Sequence, residues 1–238
     1  MSLVVLNDLT DMYAKCGDIV KARWVFDSIS CKDNISWNSM LTGYIRQGLL
    51  AGALQVFRGM IQEGFEPGSR DIVSWNSIIS GHSKHPEALL YFEQMVRSGS
   101  SPDSITFVAI LSACAHLGLV NDGERLFWLM RKKYGIDSRM EHYACMVNLY
   151  ESAGLIDEAF NMIVERMEFK AGLTVWGAML YACSVHGNIQ IGDIAGQKLF
   201  ELEPDNQHNF ELLMKIYSDA ERVKDVERVG KLMLDRGL

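Results

Sequence analysis

The sequence predicts an all-α protein built from repeated helical hairpins, and three observations carry that prediction. The segment at residues 34–44 returns as a near copy at residues 71–81, where Trp75 matches Trp37 after 38 residues. A self-copy at that period is typical of a repeat protein. Four prolines in 238 residues leave long stretches free to be helical, because proline breaks helices. Hydrophobic and charged shares of 48% and 22% indicate a folded, well-buried chain.

Seven units follow when the chain is aligned on the residue equivalent to Asn38. Each unit is about 31 to 38 residues long, which is room for two helices and two turns. The aligned residues are Asn7, Asn38, Asn76, Val108, Ala144, Gly177 and Glu211. The first helix of a unit, for instance Ile35 to Arg46, is expected to end at a glycine that can adopt the left-handed conformation. These glycines are Gly17, Gly48, Gly118, Gly154 and Gly187.

The second helix of a unit carries a small residue four positions before a large apolar one. This spacing places both side chains on one helix face, where the small residue lets the paired helices approach. We therefore expect these residues to form the core of each hairpin. The pairs are Ala22 with Phe26, Ala53 with Phe57, Ala88 with Phe92, Gly123 with Phe127, Ala159 with Ile163, and Ala195 with Leu199.

Several stretches resemble the plant pentatricopeptide repeat family. They include Val-Ser-Trp-Asn-Ser-Ile-Ile-Ser-Gly-His at 73–82 and Asp-Met-Tyr-Ala-Lys-Cys-Gly at 11–17, whereas the tetratricopeptide pattern is matched poorly. Glu-His-Tyr-Ala-Cys-Met-Val at 141–147 is similar to the closing repeat of the subclass that mixes P, L and S repeat types. The stretches at 175–180, 186–188 and 202–206 resemble the first E-type motif of that subclass, and the segment at 210–237 resembles the second. The resemblance implies a right-handed α-solenoid.

The resemblance divides nearly the whole chain into seven motifs. They are an S-type repeat at 3–33, a P-type repeat at 34–68, a shortened P-type repeat at 72–103, an L-type repeat at 104–139, a closing S-type repeat at 140–172, a first E-type motif at 173–206 and a second at 207–238. In this subclass an L-type and an S-type unit would normally follow Gly68, so two units are expected to be missing there. The following unit is short, and we expect a tightened turn at His85-Pro86. Because a helical stack needs capped ends, we also expect the chain to be part of a longer protein.

The resemblance implies that a repeat reads one RNA base with its fifth and last residues. The implied pairs are Asn7 with Asp33, Asn38 with Gly68, and Asn76 with Asp103. An asparagine amide offers both a donor and an acceptor, and a nearby carboxylate can orient it. In the family, Asn with Asp favours uracil, so the first and third repeats are expected to prefer U.

The family's second position, which sandwiches the base, is apolar in four units. It is occupied by Val4, Ile35, Val73 and Ile105. We expect Asn76 to lie at the concave surface and not in the core. The alternative for each asparagine is a polar residue near a helix start that satisfies a backbone group. Val108 with Arg139, and Ala144 with Gly172, cannot form a hydrogen-bonding pair of this kind.

Nothing in the sequence favours an enzyme. Some members of the subclass carry a further cytidine deaminase domain, which needs an HxE motif and a later PCxxC. His85-Pro86-Glu87 supplies the first half inside a turn, but the chain has no CxxC. His82 and His85 form an HxxH without a third ligand, and we expect a solvated turn there. No catalytic residue, metal or cofactor is therefore expected.

The five cysteines are odd in number and scattered at repeat-like intervals. This pattern favours reduced thiols packed in a core. They are Cys16, Cys31, Cys114, Cys145 and Cys183.

Two classes of function stay open. The first is a single-stranded RNA-binding adaptor in organelle RNA processing, serving group II intron splicing or the choice of C-to-U editing sites. The resemblance places it in the chloroplast, or alternatively the mitochondrion, with a transit peptide upstream of this chain. It also implies protein partners for the L-type and E-type motifs, which suits Phe200-Glu201-Leu202-Glu203, although that run also fits an amphipathic helix face.

The second is a protein-interaction scaffold with little RNA binding of its own. The net charge of −7 favours it, because proteins that bind phosphates usually present a basic face. No membrane span is expected, since no run of about 18 apolar residues occurs. Exposed stack ends could pair two copies into a homodimer.

Overall fold

The computed structural model describes residues 2–65 and 72–238. Fourteen α-helices and a π-helical turn are formed by these residues, and no strand is found among them. The helices are α1 (Leu3–Lys15), α2 (Ile19–Asp27), α3 (Asn34–Arg46), α4 (Leu50–Gln62), α5 (Ile72–Gly81), α6 (Glu87–Arg97), α7 (Ser104–Leu117), α8 (Val120–Lys132), α9 (Met140–Ser152), α10 (Ile156–Asn161), α11 (Leu173–His186), α12 (Ile189–Leu202), α13 (Gln207–Asp219) and α14 (Val223–Asp235). The predicted all-α solenoid class is confirmed.

The chain divides into two compact units, Met1–Ala113 and Cys114–Leu238, and the division falls inside α7. In the first unit, α1 packs with α2, α3 with α4, and α5 with α6, so each pair is a helical hairpin. Helix α3 also contacts both α1 and α5. The first helices of successive hairpins therefore form one continuous layer of this unit.

The second unit repeats the same plan. Helix α11 contacts both α9 and α13, while α12 packs against α11 and α14 against α13. Helix α10 continues into the π-helical turn Met162–Arg166, whose last carbonyl accepts a hydrogen bond of 3.0 Å from the Tyr143 hydroxyl.

Successive hairpins are joined by an aromatic contact that recurs in both units. The fourth residue of an odd-numbered helix packs against a phenylalanine of the even-numbered helix before it. The ring centroids are 4.9 Å apart for Phe26–Trp37, 5.2 Å for Phe57–Trp75, 5.7 Å for Phe92–Phe107, 5.4 Å for Phe127–Tyr143 and 3.9 Å for Phe200–Phe210. Such pairs contribute about 0.5–1.5 kcal/mol beyond the burial of area. Phe200 is buried against Phe210, as expected for a residue on the apolar face of an amphipathic helix.

The small and large residues predicted to form the hairpin cores are all buried. The glycines predicted to end the first helices also adopt positive φ, for example +69° at Gly48 and +70° at Gly187. Close approach of neighbouring first helices needs a glycine at another position: a Cβ on Gly43 of α3 would lie 2.7 Å from the Cβ of Ala14 in α1.

The turn between α5 and α6 is tightened, as predicted at His85-Pro86. The N–H of His85 donates to the carbonyl of His82 over 2.8 Å, and the N–H of Ala88 donates to the carbonyl of His85 over 3.1 Å. The expectation of a solvated HxxH is wrong for His82, which is buried with its Nδ1 2.8 Å from the carbonyl of Ile78.

The prediction of core cysteines is correct in one unit and wrong in the other. Cys114 and Cys183 are buried and Cys145 is half-buried, but Cys16 and Cys31 are exposed. Burial raises the pKa of Cys114 and Cys183 to about 12 and that of Cys145 to about 11. Because the thiolate is the reactive form, these three side chains are inert at neutral pH.

Candidate nucleic-acid interface

Asparagine occupies the fifth position of α1, α3 and α5, and its amide oxygen has the same partner each time. It accepts a hydrogen bond from a hydroxyl on the third residue of the next odd-numbered helix. The pairs are Asn7 with Ser36 at 2.7 Å, Asn38 with Ser74, and Asn76 with Thr106 at 2.6 Å. Each asparagine is thereby tied to the hairpin that follows its own.

In the first repeat this contact is part of a helix cap. Asp33 is the N-cap of α3, and its Oδ1 accepts from the Ser36 N–H over 2.9 Å and from Asn7 Nδ2 over 3.0 Å. The N–H of Asp33 donates in return to Ser36 Oγ over 3.2 Å. This reciprocal arrangement is a capping box. The side chains that start α3 therefore also hold the asparagine of α1.

The single hydroxyl proton of Ser36 decides how the amide is held. Ser36 Oγ lies 2.7 Å from Asn7 Oδ1 and 2.8 Å from Asp33 Oδ1. Because Asp33 Oδ1 already accepts from two N–H groups, we assign the proton to the buried Asn7 Oδ1. The amide is then oriented, with its oxygen towards the hydroxyl and its nitrogen towards the carboxylate.

The third repeat reproduces this network atom for atom. Asn76 Nδ2 donates to Asp103 Oδ1 over 3.1 Å, and the N–H of Thr106 donates to the same oxygen over 2.8 Å. The N–H of Asp103 donates to Thr106 Oγ1 over 3.0 Å. The structure thus brings together both of the predicted Asn–Asp pairs that lie within its described residues.

The pKa of Asp33 is held below its ordinary value. Burial by itself would raise this pKa, but it is outweighed by hydrogen bonds from the Ser36 backbone N–H and the Asn7 amide. These donors stabilise the charged form. Asp33 is therefore a carboxylate at neutral pH.

The pair predicted in the second repeat lies partly outside the described residues, because Gly68 falls within 66–71. Asn38 itself is half-buried, and its amide oxygen receives the Ser74 hydroxyl.

The four apolar residues predicted to sandwich bases are all exposed. Each is the second residue of its helix, and the exposed fractions are 67% for Val4, 61% for Ile35, 60% for Val73 and 63% for Ile105. These side chains contribute little to the core, so they are accessible to a ligand from solution.

The asparagines themselves are more buried than expected. Asn76 is 8% exposed and Asn7 5%, so the expectation that Asn76 lies at the surface and not in the core is wrong. Its amide is drawn into the joint between hairpins by Asp103 and Thr106. For Asn7 and Asn76, the alternative expectation that the asparagine satisfies a backbone group is not what the contacts show, because the hydrogen-bond partners are side chains.

The hydroxyl residues were missed at the sequence level, although a signal for them exists. Ser36 and Thr106 follow their aspartates by three residues, and the same Asp-x-x-Ser spacing recurs at 71–74. This is the sequence signature of a helix cap. This spacing predicts the helix cap, but it does not indicate that the hydroxyl also contacts the asparagine of the preceding repeat.

The second unit has different residues at all of these positions. The fifth residues of α9 and α11 are Ala144 and Gly177, and the third residues of the helices that follow are Val175 and Asn209. The second residues of α9, α11 and α13 are polar: Glu141, Thr174 and His208. The residues of the candidate site therefore concentrate in the first unit.

Residues 2–65 and 72–238 contain no group of three or more His, Cys, Asp or Glu side chains that could hold a metal ion. None of their helices combines the length and apolar character that crossing a bilayer requires.

Comparison with protein families finds matches along most of the chain. The PPR repeat matches residues 4–33, 35–65 and 105–134, the PPR repeat family matches 70–116, and the E motif matches 186–238. The repeat matches together cover more than half of the chain.

Similar curated proteins come from Arabidopsis thaliana. A chloroplastic pentatricopeptide repeat-containing protein is 52% identical over 294 aligned positions, covering 98% of this chain and 56% of the relative. CRR2, also named chloroplastic, is 37% identical and covers 99% of this chain and 30% of the relative. A relative named mitochondrial is 36% identical, with the same 99% and 30% coverage. The chain thus spans about half of the first relative and about a third of the others.

Solved structures share the fold. The pentatricopeptide repeat protein PPR10 from maize superposes with a TM-score of 0.78 at 17% identity, over 100% of this chain and 35% of that protein. PPR10 in complex with an 18-nt psaJ RNA element gives a TM-score of 0.65 at 17% identity, over 98% of this chain and 34% of that protein.

Proposed function

Because the chain belongs to the pentatricopeptide repeat family, in the plant subclass that mixes P, L and S repeats and carries E-type motifs, we propose that it is a non-catalytic adaptor that binds single-stranded RNA through its first unit. The observation that carries the proposal is the pair of identical networks around Asn7 and Asn76. Each network holds an amide in one orientation, and an exposed aliphatic residue, Ile35 or Ile105, follows the aspartate of the network by two positions.

Uracil fits the chemistry of these networks. Its edge presents an N–H between two carbonyl oxygens, and the amide keeps one N–H and one lone pair beyond its internal bonds. The remaining Nδ2 hydrogen of Asn7 would donate to a uracil carbonyl, and its Oδ1 would accept from the uracil N–H. The exposed Val4 and Ile35 would pack against the two faces of that base. The same reasoning gives uracil opposite Asn76, between Val73 and Ile105.

The second repeat has two candidate partners for Asn38. Gly68 is the last residue of the predicted repeat and supplies no hydrogen-bonding side chain. Asp71, however, precedes Ile72 at the start of α5 as Asp33 precedes Asn34 at the start of α3. If Asp71 holds the amide, the second repeat also prefers uracil, and Asp71→Asn lowers that preference. If Gly68 is the partner, the variant leaves base preference unchanged.

The biological role we propose is organelle RNA processing, in group II intron splicing or in choosing sites for C-to-U editing. The names of relatives, chloroplastic in two cases and mitochondrial in another, support the chloroplast first and the mitochondrion as the alternative. The RNA bound to the structural neighbour PPR10 supports single-stranded RNA as the ligand.

A titration tests RNA binding. U-rich and A-rich oligonucleotides are titrated at two salt concentrations with the wild type, with Asn76→Ala, and with Asn148→Ala as a control for an exposed asparagine of α9. We expect tighter binding of the U-rich strand and weaker binding at high salt. Asn76→Ala should lose much of the U preference and Asn148→Ala none. Undetectable affinity at low salt would refute RNA binding by this chain.

A second candidate function, protein interaction, is favoured by the surface of the second unit. Trp128 of α8 is 60% exposed and lines a cavity of 480 Å³ together with Arg131, Lys132 and Arg166. An exposed tryptophan beside cations is suited to a protein partner. Splicing or editing factors and a second copy of this chain are the proposed partners. Sedimentation of the wild type and Trp128→Ala tests self-association: a dimer lost in the variant supports this surface as the contact.

A further inference from the structure

We infer that the hydroxyl on the third residue of each following helix, in Ser36, Ser74 and Thr106, sets the base preference of the repeat before it by fixing the asparagine amide. These are positioning residues, because they act on the base through the asparagine. The inference rests on the proposed function and adds residues to it. It also means that the specificity of a repeat is completed by the next hairpin along the chain.

Across the six joints between successive hairpins, the fifth residue of one odd-numbered helix and the third residue of the next odd-numbered helix change together. Wherever the fifth residue is asparagine, the third residue of the next odd-numbered helix is a hydroxyl. Wherever the fifth residue is not asparagine, the third residue of the next odd-numbered helix carries no hydroxyl. The first group is Asn7 with Ser36, Asn38 with Ser74, and Asn76 with Thr106; the second is Val108 with His142, Ala144 with Val175, and Gly177 with Asn209.

The helix cap makes the hydroxyl a directed donor. Thr106 Oγ1 lies 2.6 Å from Asn76 Oδ1 and 2.9 Å from Asp103 Oδ1, and the latter oxygen already accepts from two N–H groups. We therefore assign the hydroxyl proton to Asn76 Oδ1, as in the first repeat. The carboxylate holds only the nitrogen of the amide. Without the hydroxyl, the Asn76 oxygen would lose its donor inside the joint, which destabilises this orientation of the amide and favours other side-chain rotamers.

The last joint shows the consequence of separating the two positions. Asn209 is 7% exposed and stands where other joints carry the hydroxyl, but its Nδ2 atom is buried without a hydrogen-bond partner among the described residues. Gly177, at the fifth position opposite, has no side chain to offer. The Asn209 Nδ2 atom is thus unsatisfied at a joint where the preceding hairpin supplies no complementary side chain.

The test replaces the hydroxyl without changing the shape of the side chain. Thr106→Val removes the hydroxyl, Thr106→Ser keeps it, and Thr10→Val is the matched control, because Thr10 is also a buried threonine whose hydroxyl bonds elsewhere, to the carbonyl of Leu6 over 2.8 Å. Affinities are measured for oligonucleotides that differ only in carrying U, C or A opposite the third repeat. Thermal unfolding of each variant is measured in parallel.

We expect Thr106→Val to lower the ratio of U affinity to C affinity by roughly threefold to tenfold, the worth of one lost hydrogen bond. Thr106→Ser should restore the ratio, and Thr10→Val should keep it. A Thr106→Val protein that keeps the wild-type ratio overturns the inference and leaves the proposed function standing. A wild type that binds RNA without any base preference overturns the inference together with the proposed uracil preference, and a wild type that does not bind RNA overturns the proposed function as well.

Discussion

The two units of the chain use one packing scheme and differ in what they place at its polar positions. Both join successive hairpins through an aromatic fourth residue, Trp37 and Trp75 in the first unit and Tyr143 and Phe210 in the second. Among the described residues, only those of the first unit combine exposed aliphatic second residues with the Asn–Asp–hydroxyl network. The difference teaches that adjacent positions on one helical turn have separate roles: the fourth residue packs successive hairpins together, while the second, third and fifth carry the side chains that we propose to contact or position RNA.

The largest effect is expected where the units agree. Trp75→Ala and Phe210→Ala each remove a large buried side chain, 2% and 0% exposed. Each variant should lose about 3–5 kcal/mol of unfolding free energy, because a cavity replaces the aromatic contact. Chemical denaturation measures both. Destabilisation by only one of the two would show that the joints are not equivalent.

A smaller effect is expected from the cap that only the first unit couples to an asparagine. Asp33→Ala should cost about 0.5–2 kcal/mol at neutral pH, as loss of an N-cap does. Since the pKa of native Asp33 lies below the unfolded value, its charge stabilises the fold above about pH 4. That contribution disappears as the pH falls through the native pKa.

The penalty of Asp33→Ala should therefore shrink between pH 7 and pH 3 in urea denaturation. Arg139→Ala changes the matching N-cap of α9 in the second unit and is the control, because it removes no carboxylate. An Asp33→Ala penalty that stays constant with pH would contradict a charged cap.

The exposed aliphatic positions should separate binding from stability. Val73→Ala should change the unfolding free energy by no more than about 0.5 kcal/mol, because the side chain is 60% exposed. RNA affinity should nevertheless fall severalfold, since Val73 is proposed to contact a base. Thr174→Ala, at the same position of α11, should change neither quantity. Parallel denaturation and oligonucleotide titration check this, and equal RNA affinity for Val73→Ala and the wild type would refute sandwiching.

Cysteine labelling compares the two units without any substitution in the chain. Cys16 and Cys31 are exposed in the first unit, whereas burial raises the pKa of Cys114, Cys145 and Cys183 in the second. Brief alkylation of the native protein at pH 8, followed by mass spectrometry, should modify the first two cysteines and spare the other three. Denaturant should expose all five. Rapid native labelling of Cys183 would reveal local opening of α11.

The sequence by itself determined the repeat, the order of the helices and the residues of the hairpin cores. These follow from local rules, since periodicity, helix-ending glycines and small-to-large spacing act within about a dozen residues. It also identified the Asn–Asp pairs and the exposed aliphatic residues, because the resemblance assigns them by position. The tightened turn before α6 was also predictable, because it depends on a local feature, the dipeptide His85-Pro86.

Only the tertiary structure decided how those residues are held. Asn7 and Ser36 are 29 residues apart in the chain and meet only when α1 and α3 pack side by side, so no local pattern indicates their hydrogen bond. The same packing buries Asn76 and His82, which the sequence placed at the surface, and leaves Cys16 and Cys31 outside. The physical reason is that burial and side-chain partners depend on neighbouring hairpins, whereas helix formation depends mainly on the residues within one.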